Sequence, residues 1–321
     1  MGEPFAYFEG NVVPLGDAKV GIMTHALNYG TGCFEGIRGY WVPEDEQVYL
    51  FRAREHFERL HRSAHILRMK VRLSPEELTQ LACDLVAKSG YREDVYVRPL
   101  VYKSAEQVGL SLVRTAPDGE LEHVPDDFFM FTVPFGAYLD LDKPIRVTIS
   151  PWRRIDDNVI PPRAKVTGLY INSALATSQA KELGFDEAIM LNGDGSVSEG
   201  PGENIFMLRD GKLITTGPDS NILEGITRHA VMTLAREELG IEVVERRIAR
   251  SELYIADELF FTGTAAQISA IGEVDGRTIG SGEIGPVAAR LQEVFFEAVR
   301  NRSPKYSDWC AAVYPVGASV G

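Results

Sequence analysis

Apolar residues recur along this chain with two different periods, and the changes between them mark out its elements. Phe57, Leu60, Ala64 and Leu67 fall at three- and four-residue spacing, which predicts a helix over 54–67 with one buried face. Ser74, Pro75 and Glu77 supply the hydroxyl, first-turn proline and acid of a capping box, so a second helix starts there and runs to about residue 88, with Gly90 near its end. Runs of β-branched and aromatic residues at 48–51, 95–102 and 128–133 predict strands. Pro99 interrupts the second run and predicts an edge or a bulge, because proline cannot donate to a ladder. Gly10-Asn11, between Tyr7-Phe8 and Val12-Val13, predicts a hairpin turn, and 115–127, rich in Pro, Gly and acids, predicts a loop.

In the second half, strands alternate with helices. Strands are expected over 145–149, 187–191, 204–208, 212–215, 241–248 and 258–262, and helices over 169–183, 226–239 and 287–300. Asp210-Gly211 joins two of the strands as a hairpin. Turn formers take over at 134–144, which predicts a smaller N-terminal domain over 1–133, an interdomain loop over 134–144 and a larger C-terminal domain over 145–321. The fold class is α+β, with mixed sheets in two unequal domains.

The length of 321 residues, 45% of them hydrophobic, is enough to bury two cores. A formal net charge of -13 argues against nucleic acid or an anionic membrane as partner, so any anion must be held by local donors. Cys33, Cys83 and Cys310 fit neither a disulfide framework nor a zinc ribbon and point to a reducing cytoplasm. Met1 to Tyr7 lacks a basic region followed by an apolar run, and no stretch approaches the ~20 apolar residues of a membrane span, so a soluble, unexported protein is expected.

One lysine stands in an unusual setting: Lys165 follows Pro161-Pro162-Arg163-Ala164 and precedes Val166-Thr167-Gly168 and a helix. A carboxylate, Glu199, returns inside a glycine-rich turn. A lysine that attacks an aldehyde must react as a free amine, although on local sequence alone Lys165 reads more readily as a surface charge. Gly225-Ile226-Thr227-Arg228 opens a helix whose N–H groups would seat an anion, and Thr264-Ala265-Ala266 offers further donors directly after a strand; either threonine also reads as a simple cap or turn residue. Residues 22–38, with Gly30, Gly32 and Gly36 among small and aromatic side chains, are suited to close backbone approach. Gly280 to Gly285 matches a dinucleotide fingerprint as a string, but no later strand is expected to complete the unit, so it reads as a turn and cap. His61 and His65 have no third ligand nearby, and no metal is expected.

These segments taken together resemble the fold-type IV, pyridoxal-phosphate-dependent aminotransferases, most closely the branched-chain amino acid aminotransferases. The resemblance is carried by His25 to Gly30, Phe34 to Arg38, Arg54 to Leu60, Tyr96 to Leu100, Ala164 to Tyr170, Ser198 to Asn204, Gly225 to Arg228 and Ala256 to Ala266, in the family's order across nearly the whole chain. It implies pyridoxal 5'-phosphate in an interdomain cleft, with the large domain as the cofactor-binding one. The implied reaction is ping-pong transamination between leucine, isoleucine or valine and 2-oxoglutarate, giving branched-chain 2-oxo acids and L-glutamate. Carried over by position, Lys165 forms the Schiff base and moves the proton. Glu199 pairs with the ring nitrogen, Tyr170 lies near the 3-oxygen, Leu223 packs on the ring, and Arg59, Gly225, Ile226, Thr227 and Thr264 hold the phosphate. The substrate positions are Phe34, Arg38, Tyr96, Arg98, Phe135, Thr264 and Ala265, with Tyr29 and Leu110 taken from a neighbouring subunit. Arg98 is the expected partner of the glutamate side-chain carboxylate. A homodimer or higher homo-oligomer follows from the same resemblance.

The chain departs from the family's pattern at Phe135, where many members carry tryptophan, at Gln267, often glutamate, and at Val166-Thr167-Gly168-Leu169, elsewhere Ala-Gly-Gly-Asn. These positions bear on substrate width. A D-amino acid or (R)-amine transaminase, a 4-amino-4-deoxychorismate lyase and a catalytically silent cofactor binder share the scaffold; Tyr96 to Leu100 and Ala256 to Ala266 favour the branched-chain L-enzyme.

Overall fold

The computed structural model describes residues 4–136 and 138–315, so Met1 to Glu3 of the N-terminal reading and Ala137 of the expected interdomain loop lie outside the described residues. The described chain divides into two compact units, one built from 4–136, 164–168 and 299–315, the other from 138–163 and 169–298.

In the first unit, β1 (Phe5–Phe8) and β2 (Asn11–Pro14) form a hairpin whose register pairs Phe8 with Asn11. The two turn residues are therefore Glu9 and Gly10, with φ of 49° and 80°, one position earlier than Gly10-Asn11. After α1 (His25–Tyr29) come β3 (Gly32–Phe34), β4 (Ile37–Val42) and β5 (Gln47–Phe51). The two helices follow as α2 (Ala53–Ile66) and α3 (Pro75–Ser89), the latter with its full Ser74–Glu77 capping box and a left-handed Gly90 at its end.

The central strand of this sheet is β6 (Val95–Lys103), which pairs with β9 (Asp126–Pro134) on one side and with both β3 and β4 on the other. Pro99 is thus in a central strand, and the expectation of an edge is corrected. The Pro99 carbonyl accepts the Glu35 N–H at 3.0 Å, so the missing donor faces the break between β3 and β4, where no ladder bond is lost. Alternation along β6 buries Val95, Val97 and Val101 against Phe57, Leu60, Leu78 and Val86 of the two helices and turns Tyr96, Arg98 and Leu100 to the opposite face. β7 (Val113–Thr115), which ends where the expected loop at 115–127 begins, and β8 (Leu121–His123), inside that loop, make a small hairpin.

The second unit begins with β10 (Ile145–Ile149), then α4 (Tyr170–Glu182), β11 (Glu187–Ile189), β12 (Asn204–Arg209), β13 (Lys212–Thr215), α5 (Ile226–Glu237) and β14 (Val243–Glu245), the last shorter than the expected strand over 241–248. β15 (Glu258–Gly263) turns tightly into β16 (Gln267–Val274), a strand the pattern did not announce, followed by β17 (Arg277–Thr278) and α6 (Pro286–Val299). The sheet order is β11-β10-β16-β15-β12-β13-β14, with β17 paired to β16. Parallel β10–β11 and β10–β16 pairs beside antiparallel hairpins make it a mixed sheet, as the sequence pattern predicts.

The chain's last strand, Cys310–Ala312, pairs antiparallel with β5 of the first unit. The expected domain over 145–321 included both this strand and 164–168, whereas each packs with the first unit.

Candidate active site

The five residues 164–168 are held to the first unit by their backbone. The Lys165 N–H donates to Ser63 Oγ at 3.2 Å, and the Lys165 carbonyl accepts the Phe34 N–H at 3.0 Å. Thr167 Oγ1 donates to the Gly30 carbonyl at 2.7 Å, and the Gly168 N–H reaches the same carbonyl at 3.2 Å. This is the close approach for which the glycines are needed: a Cβ on Gly30 would lie 2.8 Å from the Gly168 Cα. Lys165 is thereby fixed at its root, with its Nζ 5.1 Å from the centroid of the Phe34 ring.

From Phe34 a chain of contacts runs outward. The Arg98 guanidinium lies 4.3 Å from the same ring, and its Nη2 donates to the Tyr96 hydroxyl at 2.7 Å. Tyr96 and Phe135 have ring centroids 4.9 Å apart, and Arg38 sits 5.2 Å from the Phe135 ring while donating to Asp94 at 3.0 Å. Five of the expected substrate residues, Arg38, Phe135, Tyr96, Arg98 and Phe34, therefore form one chain of contacts, and its Phe34 end lies beside Lys165. Arg98 Nε, Arg38 Nε and Arg38 Nη1 are buried without a hydrogen-bond partner, which leaves cationic donors ready for an acceptor. Tyr29 and Leu110 form a second group, in which the Tyr29 hydroxyl accepts the Gly109 N–H at 3.1 Å and Leu110 is 79% exposed.

Arg59 belongs to a cluster that sequence reasoning did not single out. Helix α2 presents His56, Arg59 and Ser63 at three- and four-residue spacing on its buried face. Glu35, fully buried, accepts Arg59 Nε at 2.7 Å, Arg59 Nη2 at 2.8 Å and His56 Nδ1 at 2.8 Å. Burial alone would push the Glu35 carboxyl up, but the charge and hydrogen bonds of Arg59, with those of His56, outweigh it and hold the group far below the usual carboxylate range. Burial keeps His56 below its ordinary value despite Glu35, so the imidazole stays neutral with its proton on Nδ1. The available signal was polar residues on a helix face that the apolar period had marked as buried.

The second unit holds the remaining positions. Glu199 is 3% exposed, with Oε1 2.6 Å from Arg154 Nη2 and Oε2 2.8 Å from Asn204 Nδ2. The Leu223 N–H spans both oxygens at 3.3 and 3.2 Å, and Asn204 Nδ2 also donates to the Leu223 carbonyl at 2.8 Å. Glu199 and Leu223 are thus joined through Asn204, and neither Arg154 nor Asn204 had been anticipated. Tyr170 opens α4 on the same side as Ser173, one turn on. Gly225 is the N-cap of α5 and gives it no side-chain cap, so the first N–H groups, at Ile226 and Thr227, remain for an anion. Any Cβ at Gly225 would strike the Asn204 amide oxygen. Thr264 and Ala265 lie half-buried in the turn between β15 and β16.

The family model of class IV aminotransferases (Amino-transferase class IV) matches residues 32–274. The chain belongs to this family. A probable branched-chain-amino-acid aminotransferase of Aquifex aeolicus is 50% identical over 310 residues, 97% of each chain. The branched-chain-amino-acid aminotransferase of Escherichia coli K12 is 42% identical over 295 residues, 91% of this chain and 92% of its own. Among solved structures, the branched-chain aminotransferase of Thermoproteus uzoniensis with norvaline has a TM-score of 0.89 at 41% identity, covering 98% of this chain and 100% of that one. The branched-chain amino acid aminotransferase of Thermobaculum terrenum in its PLP-form, the holo-form, has a TM-score of 0.88 at 36% identity, covering 98% and 100%.

Two other sequence features of this class IV aminotransferase resolve into structural roles. Glu258 carboxylate oxygens accept the Val287 and Ala288 N–H groups at 3.0 and 2.8 Å, so the N-terminus of α6 behind Gly280 to Gly285 already holds an anion of the protein's own. His61 Nε2 bonds the Leu73 carbonyl at 3.0 Å and ties α2 to the segment leading into α3. Among the described residues no group of three His, Cys, Asp or Glu side chains is placed to hold a metal, and no helix is long and apolar enough to cross a membrane.

Proposed function

We propose that this chain is a pyridoxal-phosphate-dependent transaminase that moves the amino group between branched-chain L-amino acids and 2-oxoglutarate. The observation that carries the reading is the gathering of Lys165, Phe34, Arg98 and Tyr96: an anchored amine, an apolar wall and a cation braced by a phenol. The residues fit the cofactor chemically. A protonated ring nitrogen suits the buried carboxylate of Glu199, a phosphate dianion suits Arg59 and the uncapped start of α5, and an aldehyde suits the Lys165 amine.

When bound, the cofactor supplies an electron sink for the pair released at the substrate Cα. Lys165 Nζ would hold it and, once the substrate amine has taken its place and freed the lysine amine, would take and return the Cα proton. Glu199 keeps the ring nitrogen protonated, Tyr170 serves the 3-oxygen, Leu223 supports the ring face, and Arg59, Gly225, Ile226, Thr227 and Thr264 take the phosphate. Phe34, Tyr96, Phe135 and Ala265 wall the side chain of a branched donor, while Arg98, with Arg38, receives the side-chain carboxylate when glutamate occupies the same place.

We also infer a homodimer or larger homo-oligomer, since Ile22, Leu27, Val108 and Leu110 leave apolar side chains exposed around Tyr29. Cys33, Cys83 and Cys310, none of them in a disulfide, fit a cytoplasmic setting. The function is tested with the full chain, pyridoxal 5'-phosphate, 2-oxoglutarate and a donor panel of L-leucine, L-isoleucine, L-valine and D-alanine, with Lys165→Ala as the inactive control. Highest kcat/KM on the branched L-donors is expected, and preference for D-alanine overturns the substrate assignment.

A further inference from the structure

Glu199 is held by a second buried ion. Arg154 is 7% exposed, and the two paired side chains are 5% and 4% exposed at 2.6 Å. The same guanidinium reaches Ser173 Oγ through Nη1 at 3.4 Å and the Asn221 carbonyl through Nε at 3.4 Å, so it links the Glu199 turn to the first turn of α4 and to the segment before α5. Ser173 in turn donates to the Pro201 carbonyl at 2.6 Å, which closes the loop of contacts around the carboxylate. Asn204 Nδ2 and the Leu223 N–H add neutral donors to Glu199. Of the neighbouring acids, Glu203 takes the Gly202 N–H at 3.0 Å and Asp156 takes the Asn221 amide at 2.9 Å.

A carboxyl group removed from water favours its neutral form, and an opposite charge at ion-pair distance reverses that preference. A guanidinium is suited to this task because it stays charged under all conditions in which the protein folds. We propose that Arg154 is a positioning residue that keeps Glu199 ionised before the cofactor arrives, so that the site receives a protonated ring nitrogen without first shedding a proton. The proposal rests on the reading that Glu199 faces that nitrogen. Without the guanidinium, Glu199 is protonated in the free protein; on binding, its O–H bond breaks, the proton passes to the buffer, and the carboxylate pairs with the ring.

The experiment is calorimetric titration of the cofactor-free full chain with pyridoxine 5'-phosphate, which lacks the aldehyde and leaves Lys165 unreacted. It is run near neutral pH in buffers of different ionisation heat, so that protons exchanged on binding are counted. Arg154→Met releases about one proton per site more than the unsubstituted chain, Arg154→Met combined with Glu199→Gln loses this release, and Arg154→Lys restores the unsubstituted count. Arg154→Gln, which retains a hydrogen-bonding side chain, replaces Met if that variant does not fold. Proton counts for both neutral variants equal to that of the unsubstituted chain overturn the proposal, as does a Lys variant that behaves like Gln. The underlying reading fails separately: Glu199→Gln alone must weaken analogue binding at least tenfold, and unchanged affinity there removes Glu199 from the ring nitrogen whatever the proton counts show.

Discussion

Arg59 and Glu35 form a fork-to-fork pair, Nε and Nη2 of one on the two oxygens of the other at 2.7 and 2.8 Å, with Glu35 fully buried. Glu35→Gln preserves shape but leaves a buried guanidinium without its anion, which costs about 3–5 kcal/mol where one partner of a buried pair is removed. Because the Glu35 carboxyl is held well below its ordinary value, its contribution is fully present above the unfolded value of about 4.3 and is lost as pH falls toward the folded one. Urea denaturation of both chains should therefore show a large gap at neutral pH that narrows as the solution is acidified below about pH 4. Equal stability of the two chains at neutral pH would contradict this.

Gly30 and Gly90 share a φ of 66° but differ in surroundings, since a Cβ at Gly90 meets nothing within 4 Å while one at Gly30 meets the Gly168 backbone at 2.8 Å. Gly90→Ala is expected to cost about 1 kcal/mol, the left-handed backbone penalty alone. Gly30→Ala must also push back the backbone that carries Lys165, and an additional 1–3 kcal/mol, roughly, is expected together with a fall in kcat. Thermal unfolding of the pair separates the two contributions; equal Tm losses would mean that the contact yields freely.

Arg98 presents a planar fork braced by Tyr96 and Phe34. Arg98→Lys retains the charge but loses that geometry, so KM for 2-oxoglutarate should rise roughly ten- to a hundredfold, 1.4–2.8 kcal/mol, with a smaller change for leucine. Half-reaction kinetics measured separately with leucine and with 2-oxoglutarate check this. Equal losses in both halves would place Arg98 outside the recognition of the second carboxylate.

The elements legible in the sequence were those set by local rules: the Ser74 capping box, the Asp210-Gly211 hairpin and the apolar stripe of α2. Pro99 misled because a central strand can accept proline where its neighbour changes from β3 to β4, a fact of long-range pairing. β16 was hidden by its small residues, Ser269, Ala270 and Gly272, which carry little strand signal though the strand is central to its sheet. Lys165 and Glu199 could be singled out by residue type and turn context. Arg154, Asn204, Glu35 and His56 were not, because each matters through a partner brought close only by folding, at sequence separations of 45 for Arg154–Glu199 and 21 for Glu35–His56.

Cys33, Cys83 and Cys310 offer a check on the interior that does not depend on the active site. Burial pushes each thiol up to about 12, with neighbouring acids adding to the rise: Glu35 for Cys33, Asp84 for Cys83 and Asp308 for Cys310. A thiol reagent reacts with the thiolate, whose fraction at pH 8 is then of order one in ten thousand, against roughly a quarter for an ordinary cysteine. Native protein at pH 8 should therefore label about a thousandfold more slowly than a free thiol at all three positions, and all three should label promptly in denaturant. Cys33 carries the most weight, since it is fully buried and its strand forms an isolated bridge with Val166, next to Lys165. Rapid labelling of Cys33 in the native state would mean that the 164–168 segment opens readily, and the anchored lysine on which the proposed chemistry depends would not be held as described.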